Sequence, residues 1–153
     1  MPADPLTDLV STLRKSEPDF DPQPLMGLAR DIHAVGHERD DPVREIMARL
    51  GDRWSALLLS VLATGPYRHA ALRRIIAVLS AEKAISQRML TLRLRALERD
   101  GLVERFTLQT VPPAVTYSLT PLGKALSERL EEMIRWIKDN EATIASARAA
   151  FAP

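Results

Sequence analysis

The chain has 153 residues, of which 46% are hydrophobic, and a formal net charge of +1. This length suits one compact domain with an appendage, and no apolar run is long enough to cross a membrane. Because the sequence contains no cysteine, it excludes disulfides, thiol catalysis and thiolate metal ligands. The N-terminus lacks a basic segment followed by an apolar one, so we expect no secretory signal and a cytoplasmic location.

The charged residues are unevenly distributed along the chain, although the net charge is small. Residues 1–41 hold four Lys or Arg and nine Asp or Glu, a net charge of −5. Residues 42–153 hold 17 basic and 11 acidic residues, a net charge of +6. The second part of the chain therefore carries the basic excess that binding to phosphate groups requires.

Two helices are predicted in the acidic N-terminal part. Apolar residues recur at helical spacing in two sets: Leu6, Leu9, Val10 and Leu13, and then Leu25, Leu28, Ile32 and Val35. Between the two sets, Pro18, Pro22 and Pro24 predict a connector. We expect residues 1–40 to form a helical extension.

A pair of histidines in this extension has the spacing of a metal site. His33 and His37 lie four residues apart, so both imidazoles can face one side of a helix, with Glu38 or Asp40 adding oxygen. Two imidazoles without a firm third ligand make a weak signal, and a surface pair is the preferred interpretation. We expect no metal and no cofactor.

Three further helices are predicted between residues 41 and 79. The first begins at Asp41-Pro42, a favourable pair of N-cap and first helical residue, and ends at Gly51. Asp52 can cap the second helix. The predicted buried residues of the second and third helices are Trp54, Leu57, Leu58, Val61, Leu62, Leu72, Ile75, Ile76 and Leu79.

The segment 86–100 predicts a helix with one apolar and one basic face. Ser86 is a good N-cap, and Gly101 follows where a left-handed residue would end the helix. Leu90, Leu94 and Leu97 mark the buried face. The opposite face carries Arg88, Leu92, Arg95 and Arg99, with Thr91 on its flank.

Two short strands are predicted after this helix. Leu102 and Val103 begin one, and Val115, Tyr117 and Leu119 alternate in the other, on either side of a Pro-Pro loop. A helix followed by such a pair of strands is the plan of a winged helix-turn-helix domain, mainly α with a small β wing near residues 105–117. The alternative is that the arginines form only a solvated face.

In this fold the helix enters the major groove of duplex DNA and the wing reaches the backbone or minor groove. We therefore predict that residues from the helix, from the wing and from position 68 contact DNA. They are Arg68, Ser86, Gln87, Arg88, Thr91, Leu92, Arg95, Gln109 and Thr110.

A long helix with an apolar stripe is predicted at the C-terminus. Thr120 and Pro121 mark its start, and helical spacing continues to about Ala147. We expect its stripe to be buried between two subunits of a homodimer, with residues 5–35 helping to cover it. The predicted interface residues are Leu126, Leu130, Met133, Ile134 and Ile137. The alternative is packing against the N-terminal helices of the same chain.

Several segments together resemble the HxlR-type branch of the MarR-like winged helix-turn-helix transcriptional regulators. They read DPVREIMARLGDRW (41–54), GPYRHAALRR (65–74), ISQRML (85–90), LRALERDGLVER (94–105) and VPPAVTYSLTPLG (111–123). The resemblance covers about two thirds of the chain. It implies a dimeric, cytoplasmic bacterial regulator that binds double-stranded DNA and responds to a chemical signal, such as a small-molecule effector.

The chain departs from the pattern of this family at several positions. Many members carry a cysteine where this chain has Asp41, so direct thiol sensing is impossible here. A basic residue commonly follows the Pro-Pro of the wing, where this chain has Ala114, and His69 stands where an aromatic residue is frequent. Leu92 replaces a polar residue, and the connection over 77–84 is a few residues longer.

We therefore expect residues 41–123 to bind DNA and residues 124–153 to form the dimer. The favoured function is a sequence-specific transcriptional regulator, a repressor that reads an inverted repeat. The alternatives are a winged-helix module that binds proteins and has incidental DNA affinity, or a fragment related to the winged domains of some methyltransferases. We expect no enzymatic activity, because no catalytic or phosphate-cradling motif is present.

Overall fold

A computed structural model describes residues 5–17, 19–35, 39–82 and 84–151, and the side chains of 33–35 lie outside this description. The predicted histidine pair therefore falls outside the described residues, as do Pro18 and Glu38. The chain divides into two compact units, residues 1–45 and 46–153, which we describe separately.

The first unit consists of α1 (Pro5–Ser16) and α2 (Pro22–Val35), as expected, and of the start of α3 (Pro42–Gly51). The connector predicted at Pro22 and Pro24 is wrong, because both prolines lie in the first turn of α2. A proline is tolerated there because its missing N–H would have no partner within the helix. No residue of α1 is buried.

The helices of the second unit are α4 (Arg53–Leu62), α5 (His69–Leu79), α6 (Gln87–Arg99), α7 (Pro121–Asp139) and α8 (Glu141–Ala150). The predicted N-caps are confirmed at three of them. Asp52, Ser86 and Thr120 each accept a backbone N–H with a side-chain oxygen at 3.0 Å. No described helix is long and apolar enough to span a bilayer.

A small antiparallel sheet completes the second unit. Its strands β1 (Tyr67–Arg68), β2 (Val103–Leu108) and β3 (Ala114–Leu119) lie in the order β1-β3-β2. Strands β2 and β3 form a hairpin, the wing, whose tip is the segment 109–113. The predicted fold class, mainly α with a small β wing, is confirmed. The sequence did not predict β1, which pairs with the far side of β3.

The core of the second unit lies where α4, α5 and α6 meet the sheet. Its fully buried residues are Leu58, Leu59, Leu72, Ile76, Leu90, Leu94 and Leu97. The prediction for Leu79 is wrong, since this side chain is 60% exposed. Helix α5 ends at Leu79, so residues 77–79 of the longer connection belong to the helix, and residues 81 and 82 form a turn.

The C-terminal helix differs from its prediction in two ways. It is interrupted at Asn140, so α7 and α8 are separate helices. The Asn140 side chain donates to the carbonyl of Trp136 at 2.8 Å, a side-chain bond that competes with regular helical pairing. Leu130 is only 4% exposed within the chain itself, and Leu126 packs against the same core.

These two leucines therefore correct the predicted dimer interface. Leu130 belongs to the core of its own subunit and offers almost no surface to a partner. Leu126 is half-buried for the same reason. Only the later part of the stripe, Met133, Ile134 and Ile137, remains exposed.

Candidate nucleic-acid interface

Helix α6 presents a polar, basic face because its apolar face is fixed in the core. Its three buried leucines anchor one side, and Ser86 caps its first turn through a bond to the backbone N–H of Met89. On the other side, Gln87, Arg88 and Arg95 are exposed, and Leu92 is 51% exposed. This side of α6, from Gln87 to Arg95, is therefore accessible to a ligand as large as duplex DNA.

Arg93 of α6 forms an ion pair with another helix, whereas Arg88 and Arg95 do not. Arg93 lies 3.3 Å from the carboxylate of Asp52, which also caps α4 through Ser55. This arginine holds α6 against α4. Among the described side chains, Arg88 and Arg95 form no ion pair, which leaves their guanidinium groups available for an anion.

Thr91 is tied to the neighbouring helix. Its hydroxyl donates to the backbone carbonyl of Gln87 at 2.9 Å and lies 3.1 Å from Nε2 of His69, the first residue of α5. The His69 ring lies 6.5 Å from the ring of Tyr117, centroid to centroid. Partial burial, with the charge of Arg73 as a second cause, lowers the pKa of His69 below its ordinary value.

A concave groove of about 580 Å³ runs between α6 and the base of the wing, and we call it the helix groove. Arginines from both sides enter it, together with one carboxylate. Its lining residues are Thr91, Arg95, Glu98, Arg99, Arg105 and Tyr117. Three guanidinium groups against a single carboxylate favour an anionic occupant, as a phosphate backbone would be.

A second groove of about 450 Å³, the wing groove, lies between the start of α5 and the wing tip. It brings together Arg68, His69 and Thr110 with the apolar residues Val111 and Pro112. The Thr110 hydroxyl donates to the Pro112 carbonyl at 2.9 Å, which orders the tip. Gln109 is exposed beside it.

The wing tip itself carries no charge. Residues 106–123 contain no Lys, Arg, Asp or Glu, and Val111 is fully exposed. Ala114, where the family often has a basic residue, is only 8% exposed because it begins β3 opposite Leu108. The positive charges that the strands bring to the two grooves are therefore those of Arg68 and Arg105.

Four of the nine predicted contact residues line one of the two grooves, and the other five line neither: Ser86, Gln87, Arg88, Leu92 and Gln109. Thr91 and Arg95 line the helix groove, and Arg68 and Thr110 line the wing groove. The sequence prediction missed Arg105, whose exposure depends on the register of β2 against β3, and Glu98. It also assigned no hydrogen bond to His69, because nothing in its sequence neighbourhood indicates a bond to Thr91.

No group of three His, Asp or Glu side chains that could hold a metal is found within the described ranges.

Comparison with known proteins gives consistent matches. Residues 49–144 match the model of the HxlR-like helix-turn-helix family. The chain is 38% identical over 107 residues to the Escherichia coli uncharacterized HTH-type transcriptional regulator YtfH, an alignment that covers 70% of this chain and 80% of that protein.

Two solved structures of regulators have a similar fold. A putative transcriptional regulator ytfH from Salmonella typhimurium superposes with a TM-score of 0.60 at 35% identity, covering 73% of this chain and 95% of that one. The reduced form of the transcriptional regulator YodB from Bacillus subtilis gives a TM-score of 0.53 at 38% identity, covering 60% and 84%.

Proposed function

The chain belongs to the HxlR-like helix-turn-helix family of transcriptional regulators, and we propose that it binds a specific double-stranded DNA site as a homodimer. The observation that carries this proposal is the exposed polar face of α6 beside the wing. Gln87 and Arg88 project from the first turn of α6 and Arg95 from the third, and the N-terminal residues of a recognition helix contact base edges.

We propose that the helix and the strands contact different parts of the DNA. Helix α6 reads bases in the major groove, where a guanidinium group can donate two hydrogen bonds to one guanine. Arg68 and Arg105 neutralise phosphates from the two grooves beside it. The uncharged tip, with Gln109 and Thr110, approaches the minor groove. In this scheme residues 41–123 bind DNA, and residues 1–40 form an appended helical segment.

The proposed dimer uses the exposed apolar side of α7, which we call the α7 apolar face. It consists of Met133 (44% exposed), Ile134 (36%), Trp136 (63%) and Ile137 (46%). Four large apolar side chains exposed on one helix are typical of a surface that a partner covers. A second copy of the chain would supply the same face, because a two-fold interface is self-complementary.

This assembly predicts the form of the DNA site. Two copies related by a two-fold axis place their α6 helices about 34 Å apart, roughly one turn of DNA, so the site is an inverted repeat. We propose that the protein acts as a repressor in the cytoplasm by occupying such a site at a promoter. Since the sequence has no cysteine, its chemical signal is a reversibly bound effector rather than a thiol oxidant.

The decisive experiment selects DNA from a library of random duplexes with the purified protein. We expect an inverted repeat, bound as two chains per duplex in analytical ultracentrifugation. With four phosphate contacts per dimer, from Arg68 and Arg105 of each chain, affinity should fall roughly a hundredfold between 50 and 200 mM salt. Binding with no preferred sequence would contradict the proposal and would favour a protein-interaction module. A flat salt dependence would contradict the role given to the arginines.

A further inference from the structure

A polar contact joins two side chains next to the proposed DNA surface. Nε2 of His69 lies 3.1 Å from the hydroxyl oxygen of Thr91. His69 begins α5 and Thr91 lies at the start of the second turn of α6, so the contact joins the two helices of the helix-turn-helix. It fixes a side chain that lies among the exposed residues of α6.

The single hydrogen of the Thr91 hydroxyl determines which side donates in this contact. The Thr91 hydroxyl has one hydrogen, and it donates that hydrogen to the Gln87 carbonyl at 2.9 Å. Towards His69 the hydroxyl oxygen is therefore the acceptor, and Nε2 of His69 carries the proton. A lowered pKa keeps the imidazole neutral near pH 7, with this single N–H on Nε2.

Thr91 is consequently not free to donate a hydrogen bond to a base. Its one hydrogen is used, and one of its two lone pairs is occupied by His69. The methyl group is the other substituent on the β-carbon, and the two bonds to the hydroxyl restrict rotation about χ1. Methyl groups of threonine make apolar contacts with the 5-methyl group of thymine in the major groove.

We propose that His69 is a positioning residue that determines base preference: by holding the Thr91 hydroxyl against α5, it leaves the Thr91 methyl group to face a thymine. This inference rests on the proposed function of α6. It makes part of the specificity of the recognition helix depend on a residue outside that helix.

The surroundings of His69 keep its ring in place and define the charges that it meets. Tyr117 of β3 lies against it at a tilt of 55°. Arg73 lies on the same helix, Arg68 precedes it in β1, and Arg95 of α6 lines the helix groove together with Thr91. A phenylalanine at position 69 would fill much of the same volume and would offer no N–H to Thr91.

The test is a double-mutant cycle on base preference. The wild type, His69→Phe, Thr91→Val and the double variant each select duplexes from the same random library at pH 7.5. We expect His69→Phe to lose the preference for thymine at one symmetric position, by about fivefold or more, since base contacts in the major groove discriminate by at least this factor. Thr91→Val should keep the preference, because it presents a methyl group whichever way it turns.

The double variant and a rescue variant complete the cycle. His69→Phe/Thr91→Val should recover the thymine preference, because no hydroxyl remains to turn outwards. His69→Gln, whose amide Nε2 can donate to Thr91, should also retain it, and thermal unfolding of each variant checks that the fold is intact. Loss of preference in Thr91→Val with none in His69→Phe would overturn the inference, as would equal preferences in all variants. A wild type that selects no sequence would overturn the proposed function itself.

Discussion

Nε of Arg49 lies 3.0 Å from Oδ2 of Asp100, and this contact joins α3 to the C-terminal end of the proposed recognition helix. The two side chains are only 18% and 9% exposed. Asp100 is the C-cap residue of α6 and also lies 3.6 Å from Arg99. A carboxylate at the negative end of a helix is unfavourable unless a cation compensates it, and Arg49 supplies that cation.

Replacing Arg49 by Ala should therefore destabilise the second unit markedly. Removing one partner of a buried pair leaves an uncompensated charge and costs about 3–5 kcal/mol when burial is complete. For this partly exposed pair we expect a loss of about 2–3 kcal/mol in the free energy of unfolding, measured with urea. The matched control is Arg129→Ala, which breaks the exposed Arg129–Glu132 pair and should cost less than about 1 kcal/mol. Equal losses would show that the Arg49 pair has no structural role.

Gly123 is a second position where we predict a large effect on stability. A β-carbon placed there would lie 1.9 Å from the carbonyl oxygen of Leu102, a backbone atom that cannot move aside easily. Gly123→Ala should force α7 away from the start of β2, and we expect a loss of about 3 kcal/mol, at the upper end of the range for overpacking. Gly51→Ala is the control, since its β-carbon would meet no atom within 4 Å. The melting temperatures of the two variants give the comparison.

The sequence predicted much of this architecture because the relevant signals are local. Ser86, Asp52 and Thr120 are capping residues, and Gly101 has the positive φ of 73° that its place after α6 required. Such positions depend on one turn of chain, so they can be recognised without a structure. The same is true of the alternating residues in β3.

The parts that were missed depend on contacts between distant segments. Strand β1 has two residues and exists only because β3 lies beside it. Periodicity showed that Leu130 is on an apolar face, but the partner that covers this face is a property of the tertiary fold. His69 forms a hydrogen bond with Thr91, 22 positions away, and this spacing matches no known sequence motif.

The arginines of α6 can be tested for reading bases or binding phosphates. Arg88→Ala or Arg95→Ala should weaken binding to the selected site by about 1–3 kcal/mol and relax base preference at one position. Fluorescence anisotropy on the selected and a scrambled duplex measures both effects. An equal loss on both duplexes would assign that arginine to a phosphate, and Arg129→Ala, far along the chain on α7, should leave both affinities unchanged.

The acid sensitivity of the fold should depend on His69. Its pKa is below the ordinary value of 6.5 in the folded protein, through partial burial first and Arg73 second. As the pH falls through 6.5, the unfolded chain takes up the proton before the folded protein does, so the free energy of unfolding decreases. His69→Gln should lose less stability than the wild type between pH 8 and pH 5. Parallel stability profiles would contradict this. The Ser80 hydroxyl is the main cause that lowers the pKa of Glu82. This carboxyl group therefore changes the free energy of unfolding only when the pH falls to about its ordinary pKa of 4.5 and below.

The proposed dimer can be tested at Ile137 without disturbing the core. Ile137→Glu adds a charge to the α7 apolar face, and we expect monomers in sedimentation experiments and roughly a hundredfold weaker binding to the inverted repeat, because the two half-sites are no longer bound together. Arg135→Glu, on the opposite side of α7, adds negative charge away from this face and should remain dimeric. A dimeric Ile137→Glu variant with full affinity would place the interface elsewhere. Leu130 is unsuitable for this test, because a charge there would destabilise the subunit itself.

The uncharged wing separates two contributions to DNA binding that usually vary together. Contacts from arginines release bound counterions, so they are visible in the dependence of affinity on salt. Burial of Val111 and its apolar neighbours against DNA would release no ions and would instead make the heat capacity of binding more negative. Calorimetry at several temperatures and titration at several salt concentrations would therefore report on different parts of the same domain, the first on the wing tip and the second on the arginines that bind phosphates.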